Sequence, residues 1–220
     1  MNISFRYSIE IFCNRVVMMK HYDKLKQALS AFGALPISEW LRILPMLQWR
    51  SLKKGEYFFR QDEEVHEIGF VIKGLLYNYY LDPNGKDFVK YFISENNFVA
   101  CYSSLIQKRP AKYSCRTIEP TTLVTMPYKC LRDLYESHPV WDRIGRLNAE
   151  KLYIEKESRE QYFLMADAHT RYNGFIKERP DLLQRVPQYL IASYIGISPI
   201  SLSRLRSINP TSAKSKNPSR

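Results

Sequence analysis

The sequence predicts an α+β protein in which a sandwich or barrel of short strands is followed by a long helix and a helix-turn-helix. Short segments rich in β-branched and aromatic residues, separated by turn residues, run from Trp49 to Pro127. An unbroken helical pattern then extends from His138 to about Met165. A second helical run is interrupted at Gly196, close to the C-terminus.

Two helices are predicted before the strands. His21 to Ala34 forms one, and Ser38 is expected to cap another that ends at Leu44. Residues 1–18 form no convincing element, so we expect a disordered N-terminal extension.

Six strands are predicted between Trp49 and Pro127. Their sequences are GEYFF, EIGFVIKG, LLYNYYL, DFVKYFI, KYSCRTI and TTLVTM. Glycine and proline mark the turns between them, as in Asp82-Pro83-Asn84-Gly85. Many short strands in succession indicate a sandwich or barrel whose edges are closed.

A short helix from Tyr128 to Ser137 leads into the long helix, which starts at His138-Pro139. Apolar residues follow a 4-3-7 spacing along the long helix, and Lys151 occupies the missing seam position. This spacing predicts either a dimer seam or a face that packs on the chain's own barrel. The seam residues are Val140, Ile144, Leu147 and Ile154.

The stretch QYLIASYIGISPISLSRLRS, residues 188–207, predicts two short helices joined by a tight corner. Gly196 suits a left-handed helix end, Ser198 can cap the next helix, and Pro199 fits its first turn. An ordinary helical hairpin would show the same pattern.

The charge distribution favours a nucleic-acid partner. The chain carries a formal net charge of +11. From Ala168 onwards, nine Lys or Arg face only two acids, Glu178 and Asp181. A basic second helix is what binding in a phosphate-lined groove requires.

The remaining composition argues against metals, cofactors and membranes. The four cysteines and four histidines are scattered, without the close pairs of metal or redox sites. No apolar run approaches the ~20 residues that span a bilayer, and no export signal is recognised. We therefore predict free thiols, a cytoplasmic protein and no bound cofactor.

Three segments carry a resemblance to a known family: LKKGEYFFRQDE (52–63), IGFVIKGLLYNYYLDPNGKDFVKYF (68–92) and IASYIGISPISLSRLR (191–206). Together with Gly55, Gly74 and Gly85 at barrel turns, they resemble the bacterial cyclic-AMP receptor and fumarate/nitrate-reduction regulators, the Crp/Fnr family of transcription factors. The resemblance implies a homodimer with a jelly-roll effector domain (19–137), a central dimerisation helix (138–166) and a winged helix-turn-helix (167–208), followed by a disordered tail (209–220). It also implies double-stranded DNA and RNA polymerase as partners.

The effector pocket departs from the family pattern. Where cyclic-nucleotide-binding members carry Gly-Glu and Arg-Ser or Arg-Thr, this chain has Ala100-Cys101 and Lys112-Tyr113. Lysine lacks the bidentate fork of arginine, and the acceptor for the ribose hydroxyl is missing. We therefore expect that cyclic AMP is not the effector. A small-molecule effector would contact Tyr102, Ser103, Ser104 and Lys112. The alternative, which the residue types favour slightly, is that these four are ordinary surface and barrel polar residues.

The resemblance also assigns the residues that face DNA. They are Ser198, Pro199, Ile200, Ser201, Ser203, Arg204 and Arg206. Arg204 matches a position that contacts a base edge, whereas Arg206 and Ser203 are expected at phosphates. Pro199-Ile200 replaces the Arg-Glu of the best-known readers and predicts a different half-site.

Two other functions remain open at this stage. A cupin-type metal enzyme would use the same kind of barrel and would need clustered histidines with a carboxylate. The predicted barrel of this chain contains only His66, which lies beside acids on a predicted turn. We therefore predict no enzymatic activity. The third possibility is a protein-docking module that has lost DNA binding.

Overall fold

The computed structural model of the protein describes residues 22–83 and 85–208. The predicted N-terminal extension, the C-terminal tail and any wing after the last helix lie outside these residues. The helices are α1 (residues 22–30), α2 (Ile37–Ile43), α3 (Tyr102–Gln107), α4 (Tyr128–Ser137), α5 (Pro139–Met165), α6 (Ala168–Glu178), α7 (Gln188–Ile195) and α8 (Pro199–Ile208).

Eight antiparallel strands form two four-stranded sheets. The strands are β1 (Gln48–Leu52), β2 (Tyr57–Phe59), β3 (Glu67–Lys73), β4 (Leu76–Leu81), β5 (Asp87–Ile93), β6 (Phe98–Val99), β7 (Ser114–Thr117) and β8 (Thr121–Pro127). The sheet orders are β1-β8-β3-β6 and β2-β7-β4-β5. This alternation of strands between two sheets is that of a jelly roll, and it confirms the predicted α+β fold.

Three of the turns between strands contain a glycine in a backbone conformation that other residues rarely adopt. Gly55, Gly74 and Gly85 all have positive φ angles. At Gly74, where φ is +109°, a Cβ atom would lie 2.6 Å from the Thr121 backbone, so only glycine fits between β3 and β8.

Both sheets are covered on both sides. Phe59, Val71 and Leu123 lie between the sheets in the barrel interior. Helices α1, α2, α4 and the start of α5 pack on the outer face of the first sheet. Helices α6, α7 and α8 pack on the outer face of β4 and β5, in a core that contains Phe92 and Tyr172. This double coverage explains why β3 and β4 read as continuous apolar runs rather than alternating ones.

Two sequence-based expectations about the helices need correction. Ser38 lies inside α2 and does not cap it, because the helix starts at Ile37 after Pro36. Val140 and Ile144 are only 9% and 6% exposed, and they pack on the first sheet with Trp141. Their apolar surface is used by the chain's own core, so these two residues do not form a dimer seam.

The observed ends of α5, Pro139 and Met165, confirm the bounds predicted for the long helix. His138 Nδ1 accepts a hydrogen bond from the Val140 backbone N–H at 3.1 Å, which caps the helix, and Pro139 occupies its first position. Its 27 residues extend about 40 Å. Within the described ranges, none of the helices combines the length and apolar content that a bilayer crossing requires.

Candidate DNA-binding surface and ligand cavity

The corner between α7 and α8 has the predicted geometry. Gly196 adopts a left-handed conformation with φ +72°, and the Ile197 N–H reaches back to the Ala192 carbonyl at 3.0 Å. Ser198 Oγ then accepts from the Ser201 N–H at 3.0 Å and caps α8. The glycine ends one helix and the serine starts the next within two residues.

One face of α8 is buried and the other is open. Leu202 is 1% exposed and Leu205 packs against the core that α6 and α7 share with the second sheet. Ile200 and Arg204 lie on the side of α8 opposite Leu202. All the residues predicted to face DNA are exposed or half-exposed: Ser198, Pro199, Ile200, Ser201, Ser203, Arg204 and Arg206. Ile200 at the leading end is 67% exposed.

The two arginines on α8 carry uncompensated charge. Among the described residues, neither Arg204 nor Arg206 has a carboxylate within 4.0 Å. Both guanidinium groups are therefore available to an external anion.

Arg185, which lies just before α7, also fixes the helix-turn-helix to the barrel. Its guanidinium pairs with Glu95 at 2.9 Å and also with Glu119. Burial alone would raise the pKa of Glu95, but hydrogen bonds from Arg185 and the Gly74 N–H bring this pKa below its usual range. Nearby, Ser193 Oγ on α7 accepts from the Val89 N–H at 2.9 Å. These contacts hold α7 against β5.

The corner of the barrel that resembles a nucleotide site is filled by protein atoms. Tyr113 is 6% exposed, its hydroxyl donates to the Ala100 carbonyl at 3.4 Å, and its ring packs edge-on to Phe59. Cys101 is fully buried beside it. Burial raises the pKa of both Tyr113 and Cys115, so these two side chains are neutral.

A cavity of about 790 Å³ lies between the barrel and α5, and α3 bounds one end of it. This volume is in the range of small-molecule sites. Of the predicted effector residues, Tyr102 and Ser103 line the cavity. Ser104 and Lys112 do not: Ser104 is buried and donates to the Arg109 carbonyl, and Lys112 is exposed to solvent. These two residues therefore lie outside this cavity, and their contact with an effector stays a prediction.

The sequence reasoning missed most of the polar residues of this cavity, among them Asn78 on β4, Lys90 on β5 and Arg159 on α5. The only signal in the sequence was a lysine in the middle of the apolar strand DFVKYFI. Arg159 stands in a charged stretch of a long helix, where an arginine is ordinarily solvated.

The alternative metal site finds no support in the described part of the chain, which holds no group of three or more His, Cys, Asp or Glu placed to ligate an ion. His66 lies 3.3 Å from Glu64, and both side chains are more than three-quarters exposed. This pair is a solvated turn.

Comparisons with known proteins agree with this geometry. Residues 49–138 match the cyclic nucleotide-binding domain family. Similar solved structures include FixK2 from Bradyrhizobium japonicum, which is 18% identical over 78% of this chain and 89% of that chain, with a TM-score of 0.67. The c-di-GMP responsive global regulator CLP from Xanthomonas campestris is 15% identical over 83% of this chain and 96% of its own, with a TM-score of 0.63.

A mutant form of CooA from Carboxydothermus hydrogenoformans is 14% identical over 77% of this chain and 79% of that chain, with a TM-score of 0.61. A search of curated protein sequences finds no match. At these identities the structural likeness establishes the fold alone, and the family match covers residues 49–138.

Proposed function

We propose that this chain, whose residues 49–138 belong to the cyclic nucleotide-binding domain family and whose fold is that of the Crp/Fnr regulators, is a sequence-specific DNA-binding transcription regulator. The observation that carries the proposal is the open face of α8. Its leading residues are exposed, and Leu202 anchors its back to the core. Its two arginines have no carboxylate within 4.0 Å among residues 22–83 and 85–208. A helix presented in this way fits the major groove of DNA.

The proposal includes a homodimer that binds an inverted repeat, in the cytoplasm where DNA and RNA polymerase are found. With Val140 and Ile144 assigned to the chain's own core, the seam starts at Leu147, which is half-buried. It continues through Ile154 and Met165, which are 60% and 81% exposed. A dimer along this face would separate two recognition helices by about 34 Å, one turn of DNA.

Selection of bound duplexes from a random pool by the purified full chain tests the function. We expect enrichment of an inverted repeat whose half-site differs from that of the cyclic-AMP receptor, because Pro199 and Ile200 offer no side-chain hydrogen bond to guanine or cytosine. Absence of binding even to random duplexes at low salt would instead indicate a docking module, since non-specific binding should appear there.

Cyclic AMP is expected not to bind with micromolar or tighter affinity. The Tyr113 ring and Cys101 fill the corner that a phosphate would need. Ala100-Cys101 and Lys112-Tyr113 supply neither the carboxylate nor the arginine fork of the family's two pairs. Equilibrium titration with a fluorescent cyclic nucleotide measures this. Saturable micromolar binding, displaced by unlabelled cyclic AMP, would contradict the prediction.

Replacement of Lys151 by leucine is expected to tighten the dimer. Lys151 is exposed and lies 3.9 Å from Glu155, at a seam position between Leu147 and Ile154. An apolar side chain there would bury against its counterpart instead of extending its charge to water, a gain of about fivefold or more in dimer affinity. Sedimentation equilibrium measures the dissociation constant.

Lys129→Leu is the control for this measurement, since Lys129 is exposed on α4, away from the seam. It should leave the dimer constant unchanged. A chain that stays monomeric both alone and on DNA would rule out the seam and the dimer together.

A further inference from the structure

Three basic residues line the cavity between the barrel and α5: Lys156, which is exposed on α5, and two half-buried cations, Lys90 and Arg159. Among the described residues, neither of the half-buried cations is paired with an acid. Lys90 enters from β5, and its ammonium lies 3.9 Å from the centre of the Tyr113 ring. Arg159 enters from α5 and donates from Nη2 to the carbonyl of Val89, the residue before Lys90, at 3.3 Å. Arg159 therefore reaches, from α5, the stretch of β5 that carries Lys90.

The hydrogen-bonding capacity of this end of the cavity is incompletely used. Arg159 Nη1 is buried and has no partner among the described residues, whereas Nη2 also bonds the Tyr194 carbonyl at 3.1 Å. Asn78 is only 7% exposed, and its Oδ1 is likewise buried without a partner in the described part of the chain. Buried groups of this kind are costly unless a ligand or water satisfies them.

The acids that line the same cavity are engaged elsewhere or stand at its edge. Glu155 accepts from the Tyr91 hydroxyl at 2.8 Å and lies 3.9 Å from Lys151. Glu160 is exposed to solvent. Within residues 22–83 and 85–208, neither Lys90 nor Arg159 has a carboxylate within ion-pair distance.

The electrostatics of Lys90 favour an anion at this point. Burial lowers the pKa of Lys90; the Cys101 thiol opposes this effect and the positive charge of Arg159 adds to it. An anion placed between the two cations would remove both penalties.

The rest of the cavity wall is predominantly apolar. It runs past Ile106 on α3 and Leu152 and Phe163 on α5, and reaches Leu25 and Trp141 beneath α1 and the start of α5. An inorganic anion would satisfy the cations and leave this surface uncovered. An apolar molecule without charge would cover the surface and leave the cations unpaired.

We propose that this cavity binds an amphipathic organic anion, with its acid group at Lys90 and Arg159 and its apolar body along the wall formed by α3 and α5. This anion would be the effector of the regulator proposed above. Its role as an effector rests on that proposed function, whereas its binding does not. The anion would share the guanidinium that also holds Tyr194 in α7, which places it one side chain away from the helix-turn-helix.

Calorimetric titration of the full chain, without DNA, tests the proposal with octanoate as the probe and 1-octanol as its neutral match. We expect octanoate to bind at least about tenfold more tightly, the effect of one charge-assisted hydrogen bond. Lys90→Met, which removes a cation but keeps the length of the side chain, should abolish this preference. Arg159→Met should do the same.

Lys86→Met is the matched control, because Lys86 is exposed at the turn before β5 and lies over Phe88. It should bind octanoate as the wild type does. Circular dichroism confirms folding of each variant, and Lys90→Met keeps the test valid should Arg159→Met fail to fold. Equal affinity for octanoate and octanol, no saturable binding of either, or an undiminished preference in Lys90→Met would each overturn the proposal. Because no DNA is present, such a failure would leave the DNA-binding proposal standing.

Discussion

Replacement of Phe92 by alanine is expected to destabilise the protein by about 3–5 kcal/mol, the cost of removing a fully buried aromatic ring. Phe92 on β5 is 1% exposed, and its ring centre lies 5.0 Å from that of Tyr194 and 6.2 Å from that of Phe175. It joins the second sheet to α6 and α7, so the cavity left behind would open where the two parts of the chain meet. The melting temperature should fall by roughly 6–20 °C in scanning calorimetry.

Phe88→Ala is the matched control on the same strand. Phe88 is 46% exposed, and its replacement should change the stability by no more than about 0.5 kcal/mol. Equal losses for the two variants would show that Phe92 does not hold the helical part to the barrel. A normal melting temperature in Phe92→Ala would show the same.

The features predicted correctly from the sequence are those that local chemistry decides. Gly196 ends α7 because a left-handed residue is cheapest as glycine, and Ser198 starts α8 because its hydroxyl satisfies a free backbone N–H. His138-Pro139 marks the start of α5 for similar reasons. The two strands not predicted as separate elements show the limit: β6 has two residues and β1 opens with polar Gln48.

The spacing of the apolar residues along α5 did not reveal which surface packs against them. Val140 and Ile144 continue the same stripe as Ile154, yet the first two pack on the chain's own sheet and Ile154 is exposed. Periodicity gives the direction of the stripe, whereas its partner depends on where the helix crosses the barrel.

The cations of the cavity were missed for a related reason. Lys90 and Arg159 lie far apart in the sequence, on a strand and a helix that meet only in the folded chain. A lone lysine or arginine is most often solvated, so neither residue type signals a site by itself. The predicted effector residues came from alignment to a nucleotide pocket, and that corner is filled by Tyr113.

Replacement of Arg204 by alanine is expected to weaken binding to the selected operator by about 5- to 150-fold per half-site and to relax one base position. Arg204 is exposed on the open face of α8, two residues beyond the buried Leu202 that fixes the orientation of the helix. From there its guanidinium can donate to O6 and N7 of a guanine, a contact worth about 1–3 kcal/mol of discrimination. Repeated selection from the random pool, with titration of the winning duplex, measures both effects.

Arg206→Ala separates base reading from general charge on the same helix. Arg206 is half-exposed toward the flank of α8, where phosphate is the expected partner. Its loss should weaken all sequences alike and lower the salt slope by about one unit per subunit, whereas Arg204→Ala should change the preference itself. The competing explanation is that both arginines are solvated at a helix end and interact only with its dipole. A folded Arg204→Ala variant with unchanged half-site and affinity would establish that explanation, because an arginine that reads a base cannot be removed without altering which base is preferred.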